Sequence, residues 1–135
     1  MPSSHYIPCA GRELHVSAWG NVASPAVVAW HGLARTGRDM DDISEHLAAH
    51  GWHVICPDTL GRGLSQWSPA PDREYCLDFY VRQAGALLDA LGIERCRWLG
   101  TSMGGTIGTV AAATTLRGRI ERLVPGLRDD YLAFF

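Results

Sequence analysis

One pentapeptide of this sequence has a residue pattern suited to covalent catalysis: Gly100-Thr101-Ser102-Met103-Gly104. It follows a short buried-looking run at residues 96–99 and precedes a stretch with helical spacing of apolar residues. A serine at a sharp strand-to-helix turn holds its hydroxyl above the sheet edge, and the flanking Gly100 and Gly104 are needed because side chains there would collide. A helix N-terminus also offers N–H groups to a developing oxyanion. The pattern predicts that Ser102 is a nucleophile; the alternative is that Ser102 only caps the helix.

A second motif, His31-Gly32-Leu33, follows the apolar run Ala26–Trp30. Loops at the carboxyl ends of parallel strands gather at one edge of the sheet, so we expect this loop to meet Ser102. The N–H groups of Leu33 and Met103 are then placed to form an oxyanion hole. His31 is either a general base or a strand-end histidine that holds the loop by hydrogen bonds, and we favour the second, with His31 and Gly32 as structural residues near the site.

These motifs need a parallel sheet to bring them together, and the remaining pattern predicts one. Three runs are apolar enough for strands buried on both faces, at Ala26–Trp30, 52–56 and 96–99, and Ile120–Val124 fits that pattern more weakly. Helical spacing is found over residues 43–50, over residues 80–91, and from residue 102 toward residue 116. The alternation predicts an α/β fold of three layers, a mostly parallel sheet with helices on both faces, in a single domain over residues 1–135.

The N-terminal segment has a different pattern. Residues 13–19 alternate, with Leu14, Val16 and Ala18 on one face and His15, Ser17 and Trp19 on the other. This alternation predicts a half-exposed strand, which Ala10-Gly11 would join to an earlier strand in a hairpin.

Composition excludes several function classes. The chain has 135 residues, 47% hydrophobic and 19% charged, with a net charge of -2, which is typical of a soluble globular domain. Its basic residues are all arginine and are offset by acids, so we expect no nucleic-acid partner. No apolar stretch reaches the ~18 residues of a membrane span, and the N-terminus lacks the apolar core of a signal peptide, so we expect no membrane association and a cytoplasmic location.

Four cysteines, Cys9, Cys56, Cys76 and Cys96, form no Cys-x-x-Cys pair and have no histidine at zinc-ligand spacing. We interpret them as buried free thiols. No glycine-rich loop of the phosphate-binding kind is present either. We therefore predict that the protein needs no metal and no organic cofactor.

Taken together, the motifs resemble the α/β-hydrolase family, in its esterase and carbon–carbon-bond hydrolase branch. The likeness spans residues 6–124 and depends on the His31 motif, on residues 56–58 leading into residues 61–65, and on residues 99–105. The resemblance implies an eight-stranded sheet with Ser102 as nucleophile and the backbone of Leu33 and Met103 as oxyanion donors. It also implies a loop at the site edge, while a purely structural role for that loop is equally open; its residues are Asp58, Arg62 and Ser65.

The family places its acid and then its histidine base after the serine. The six histidines of this sequence all precede Ser102, at positions 5, 15, 31, 46, 50 and 53. We therefore expect the likeness to cover only the N-terminal part of the family, to the sixth strand, without the lid, the last two strands or the triad histidine. Near the C-terminus, Asp129 and Asp130 are better interpreted as loop residues than as the triad acid, and Tyr131, Phe134 and Phe135 as a lid remnant or a sheet-edge cover.

Two function classes remain open. The first is a serine hydrolase that cleaves a carboxylic ester or related acyl bond of a small molecule through an acyl-enzyme on Ser102. The second is a catalytically silent relative that acts as a binding or subunit module. A sheet whose last strand is Ile120–Val124 would also have an unpaired edge, so we expect self-association or a complementing chain.

Overall fold

A computed structural model describes residues 1–126 of the chain. It contains one six-stranded sheet in the order β1-β2-β4-β3-β5-β6. The strands are β1 Ser3–Cys9, β2 Arg12–Trp19, β3 Ala26–Trp30, β4 His53–Pro57, β5 Cys96–Gly100 and β6 Ile120–Val124. The β1–β2 and β2–β4 pairs are antiparallel, and the β4–β3, β3–β5 and β5–β6 pairs are parallel. The mostly parallel sheet is confirmed, with six strands in the described part rather than the eight of the family.

Four α-helices connect or flank these strands: α1 Asp41–Ala49, α2 Pro71–Glu74, α3 Leu77–Ala90 and α4 Met103–Ala113. The predicted strands β3 and β6 have the observed bounds, and β4 is shifted by one residue. Helix α3 begins three residues before the predicted start. The tail that carries Asp129, Asp130, Tyr131, Phe134 and Phe135 lies outside the described residues.

The side chains of β3 show why the sheet is covered on both faces. Val27 and Ala29 pack with Leu47 of α1 in one core cluster. Val28 and Trp30 point the other way, into the cluster that contains helices α3 and α4, where Trp30 stacks on Trp98 with ring centroids 5.5 Å apart. Alternate residues of a strand face opposite sides of a sheet, so one strand serves two cores. The three-layer prediction is confirmed.

The expectation of a half-exposed strand at residues 13–19 is wrong. The residues from Leu14 to Trp19 are all buried, including the polar His15 and Ser17. Strand β2 lies inside the sheet between β1 and β4, and the polar face of His15 pairs with Asp58 instead of water, with His15 Nδ1 at 2.9 Å from Asp58 Oδ2. The alternation therefore marks two chemically different buried faces. The predicted hairpin at Ala10-Gly11 is confirmed.

The expectation of four buried thiols is wrong at one position. Cys9, Cys56 and Cys96 are buried, but Cys76 is exposed just before α3, where the chain has left the α2 turn and not yet entered the core.

Among the described residues, no helix is both long and apolar enough to cross a bilayer. Strand β6 pairs within residues 1–126 with β5 alone, so it stands at a sheet edge.

Candidate active site

Ser102 occupies the turn between β5 and α4 in a backbone conformation that L-residues rarely adopt. Its φ is +52° and its ψ is -111°, and Ala10 is the one other non-glycine residue with a positive φ in the described part of the chain. Such strain costs energy and persists where the surroundings enforce it. The Ser102 side chain is exposed and makes no capping hydrogen bond to α4. Ser102 thus stands at the N-cap position of α4 without capping the helix through its side chain, which argues against the helix-cap alternative.

The flanking glycines have the steric role that the sequence predicts. A Cβ atom on Gly100 would lie less than 3.0 Å from backbone atoms of Gly104 and Gly105. A Cβ atom on Gly104 would lie less than 3.0 Å from the backbone of Trp30 and His31. The first turn of α4 thus sits directly on the ends of β5 and β3, which holds the Ser102 turn in place.

The loop after β3 meets this turn, as the topology predicts. A Cβ atom on Gly32 would lie 3.6 Å from the Thr101 carbonyl oxygen and 3.8 Å from the Ser102 Cβ. The Leu33 N–H donates no hydrogen bond to another described residue. Met103 is the first residue of α4, and the first N–H groups of a helix have no partner within it. The two backbone N–H groups expected as oxyanion donors are therefore available on the segments that touch.

His31 is fully buried and both of its ring nitrogens are engaged. Nδ1 donates to the Gly32 carbonyl oxygen at 2.7 Å, and Nε2 accepts from the Thr59 N–H at 2.9 Å. Burial lowers the pKa of His31, which favours this neutral form. These contacts fit the loop-holding role that we favoured and leave no free nitrogen for a general base.

Ser102 opens into a cleft of about 620 Å³. The cleft walls are mostly apolar and aromatic; they comprise Leu33, Leu60, Gly61, Arg62, Tyr75, Cys76, Leu77, Tyr80, Ser102, Met103 and Thr106. No histidine and no acidic residue is among the described residues of this lining. The wall at residues 75–77 carries no sequence motif and was not predicted, and Tyr80 was predicted only as the start of the helical spacing over residues 80–91. Tyr80 is buried there, and its hydroxyl meets Arg62 at 2.8 Å.

The loop expected at the site edge divides into two parts. Arg62 lines the cleft, whereas Asp58 and Ser65 are buried behind it. The Asp58 carboxylate accepts hydrogen bonds from the backbone N–H of Gly37 at 2.6 Å and of Leu64 at 3.0 Å. The Ser65 hydroxyl donates to the Asp58 carbonyl oxygen at 2.6 Å. For Asp58 and Ser65, these contacts favour the structural alternative.

Residues 25–124 match the family defined by the alpha/beta hydrolase fold. The chain belongs to the α/β-hydrolase family. The match begins just before β3 and ends with β6, so it includes the β3 loop, the Ser102 turn and the cleft between them.

Several relatives of this α/β hydrolase have names that state an activity. The chain is 45% identical over 102 residues to the 3-hydroxybutyrate-oligomer hydrolase of Cupriavidus necator, a match that covers 75% of this chain and 34% of that protein. It is 45% identical over 71 residues to the 2-hydroxymuconate semialdehyde hydrolase of a Pseudomonas species, covering 53% and 24%. The chain thus spans about a third of the length of the curated relatives it matches.

A solved structure also resembles this chain in its fold. An alpha/beta hydrolase from Novosphingobium aromaticivorans superposes with a TM-score of 0.80 and 36% identity, covering 88% of this chain and 41% of that one. Within residues 1–126 of this α/β hydrolase, no group of three or more His, Cys, Asp or Glu side chains is placed to hold a metal ion. Independence from metals and cofactors stays a prediction.

Proposed function

We propose that this α/β hydrolase uses Ser102 as the nucleophile of a serine hydrolase that cleaves a carboxylic ester. The observation that carries the proposal is the strained, exposed and uncapped position of Ser102 at the head of α4, on the cleft. The packing of Gly104 against Trp30 maintains this strained conformation. Strained residues of this kind cluster at functional sites.

The reaction would proceed through an acyl-enzyme. The Ser102 hydroxyl oxygen attacks the ester carbonyl carbon while a base takes the hydroxyl proton, and the carbonyl oxygen becomes an oxyanion. The N–H groups of Leu33 and Met103 donate to that oxyanion. Collapse of the intermediate breaks the bond to the alcohol, which leaves with the proton, and water then hydrolyses the acyl-serine to regenerate the hydroxyl.

The proposal requires a base from outside the described residues. His31 is fully engaged, and none of the described residues that line the cleft is His, Asp or Glu. We therefore expect a histidine from another polypeptide segment to complete the site. Without that base, the same cleft would bind an ester and not turn it over, which is the second candidate, a binding or subunit module.

The substrate class that fits best is a short oligoester of a hydroxy acid. The support is the 45% identity to a protein named for hydrolysis of 3-hydroxybutyrate oligomers. A cleft of about 620 Å³ with apolar and aromatic walls is also of the size that holds a small organic ligand.

One other serine provides a stringent control. The Ser4 hydroxyl hydrogen bonds to Nε2 of His15, and Nδ1 of His15 lies 2.9 Å from Asp58 Oδ2, so these residues have the connectivity of a catalytic triad. Ser4 lies within the regular strand β1 and lacks a helix N-terminus and a strained turn. The connectivity alone does not supply an oxyanion site.

The test is labelling with a fluorophosphonate, in which the serine oxygen forms a bond to phosphorus and fluoride leaves. With imidazole added as the base that the described cleft lacks, we expect label on Ser102, loss of label in Ser102→Ala, and full label in Ser4→Ala. Hydrolysis of 4-nitrophenyl butyrate should follow the same pattern. Label on another residue, or undiminished label in Ser102→Ala, would contradict the proposal. Binding of the 3-hydroxybutyrate dimer in the absence of any label would favour the binding module.

A further inference from the structure

Arg62 is held in the cleft entirely by neutral oxygen atoms. Its Nε donates to the Leu33 carbonyl oxygen at 3.1 Å, and its Nη1 donates to the Leu60 carbonyl oxygen at 3.1 Å and to the Tyr80 hydroxyl at 2.8 Å. The guanidinium carbon also lies 5.9 Å and 5.6 Å from the ring centroids of Tyr75 and Tyr80. These contacts fix the orientation of a planar cation against the cleft wall.

Four other arginines of the chain are paired with acids. Arg12, Arg35, Arg38 and Arg119 each form an ion pair with a carboxylate at 2.6 to 2.8 Å. Arg62 forms no ion pair with a carboxylate in residues 1–126, and no acidic residue is in the described lining of its cleft. A half-buried cation without a counter-charge, beside apolar and aromatic walls, attracts an anion.

The remaining nitrogen of the Arg62 guanidinium, Nη2, is available to bind an anion. Within residues 1–126, Nη2 donates to no protein atom, so its two N–H groups are left for a ligand. We infer that Arg62 binds a carboxylate of the ligand through Nη2, and that the cleft selects esters that carry a free carboxylate group. The part of this inference that concerns esters rests on the proposed function. The carboxylate site itself rests on the contacts of Arg62 alone.

The position of Arg62 relative to the proposed reaction supports a short ligand. Arg62 contacts the carbonyl of Leu33, the residue whose own N–H is the proposed oxyanion donor, and Arg62 and Ser102 line the same cleft. In a dimer of 3-hydroxybutyrate, the free carboxylate is separated from the ester oxygen by two carbon atoms. One such molecule could place its carboxylate at Arg62 and its ester carbonyl at Ser102.

The experiment measures binding in a chain that cannot form an acyl-enzyme. In the Ser102→Ala background, the dissociation constants of the 3-hydroxybutyrate dimer and of its methyl ester are measured by calorimetry at pH 7.5 and low salt. We expect the carboxylate form to bind at least tenfold more tightly than the methyl ester, and 0.5 M NaCl to weaken that preference. Equal affinities, a preference for the ester, or no binding of either at millimolar concentration would overturn the inference.

Substitutions then assign the preference to Arg62. Arg62→Gln should remove the preference for the carboxylate form over the methyl ester and leave the affinity for the methyl ester within twofold. Arg62→Lys should retain part of that preference. Arg82→Gln, an exposed arginine that does not line the cleft, is the matched control and should change nothing. If Arg62 only positioned the Leu33 loop, Arg62→Gln would weaken both ligands equally, which would also overturn the inference.

The two proposals fail separately. Absence of Ser102 labelling in the presence of imidazole would contradict the serine mechanism and leave the carboxylate preference intact, because the binding measurement needs no nucleophile. If Arg62→Gln loses its cooperative thermal transition, two other measurements decide the result. They are the effect of salt on the carboxylate preference in the Ser102→Ala background and the partial carboxylate preference of Arg62→Lys.

Discussion

Gly104 lies against Trp30 so closely that a Cβ atom on residue 104 would come within 3.0 Å of the Trp30 carbonyl. The contact joins the first turn of α4 to the end of β3. The Thr101 N–H, one residue before Ser102, donates to the same carbonyl at 3.0 Å. The carboxyl end of β3 thus fixes the Ser102 turn from both sides.

We expect Gly104→Ala to destabilise the fold, because the backbone of α4 or β3 must move to admit the methyl group. The cost should be about 1 to 3 kcal/mol in the free energy of unfolding, measured by urea titration. Gly85→Ala in α3 is the matched control, since a Cβ atom there would lie 3.6 Å from Leu116 and alanine favours a helix by about 0.5 to 1 kcal/mol. Equal stability of the two variants would contradict the close-packing argument.

Asp58 is expected to be a structural residue with a large effect on stability. Its buried carboxylate accepts from the N–H groups of Gly37 and Leu64 and contacts His15, so Asp58→Ala leaves several buried donors without a partner. We expect a loss of about 3 kcal/mol or more in the free energy of unfolding, and a smaller loss for Asp58→Asn, which keeps one acceptor oxygen. The exposed Asp72→Ala should change it by less than about 0.5 kcal/mol. A small effect of Asp58→Ala would show that the loop has other support.

The parts of the fold that were predictable are those that local pattern decides. β3 is a short apolar run, and the glycine-flanked Ser102 turn joins a run of that kind to a helix, so their bounds follow from the sequence. β6 also has the predicted bounds, but the expectation that it is buried on both faces is wrong, because Val124 alone of its five residues is buried at this sheet edge. The meeting of Gly32 with Ser102 was also predictable, because parallel strands place their carboxyl ends at one edge.

The parts that were not predictable depend on tertiary pairing. His15 and Ser17 look solvent-facing because they are polar, and only the approach of Asp58 from a distant loop shows that this face is buried. The Tyr75 side of the cleft is likewise formed by the segment between α2 and α3, which meets Arg62 and Ser102 only in the folded chain. No residue spacing encodes that approach.

The free energy of unfolding should fall with decreasing pH, and His31 should account for part of the fall. Burial lowers the pKa of His31, and of His53, below the ordinary value of 6.5, so the folded chain holds these rings neutral. Below pH 6.5 the unfolded chain binds more protons, so the stabilisation is complete above that pH and is lost as the pH falls toward the folded-state values. Urea titrations between pH 7.5 and 5 should show this decline, with a shallower slope in His31→Gln. An unchanged slope would mean that His31 can take up a proton in the folded state.

The thiols should differ sharply in reactivity. Burial raises the pKa of Cys9 to about 11 and of Cys56 and Cys96 to about 12, so these side chains are both inaccessible and protonated. Cys76 is exposed and lines the cleft. At pH 8, a disulfide reagent such as DTNB should therefore modify one thiol quickly in the folded chain and all four in urea.

Cys76→Ser should abolish the fast reaction, and Cys9→Ala should retain it. Because Cys76 lines the cleft that holds Ser102 and Arg62, the 3-hydroxybutyrate dimer should slow the modification at concentrations that occupy the cleft. In Arg62→Gln, at least tenfold more dimer should be needed for the same protection if the carboxylate is bound by Arg62. A fast reaction that persists in Cys76→Ser would place a second accessible thiol in the folded chain and contradict the assignment of the other three cysteines to the core.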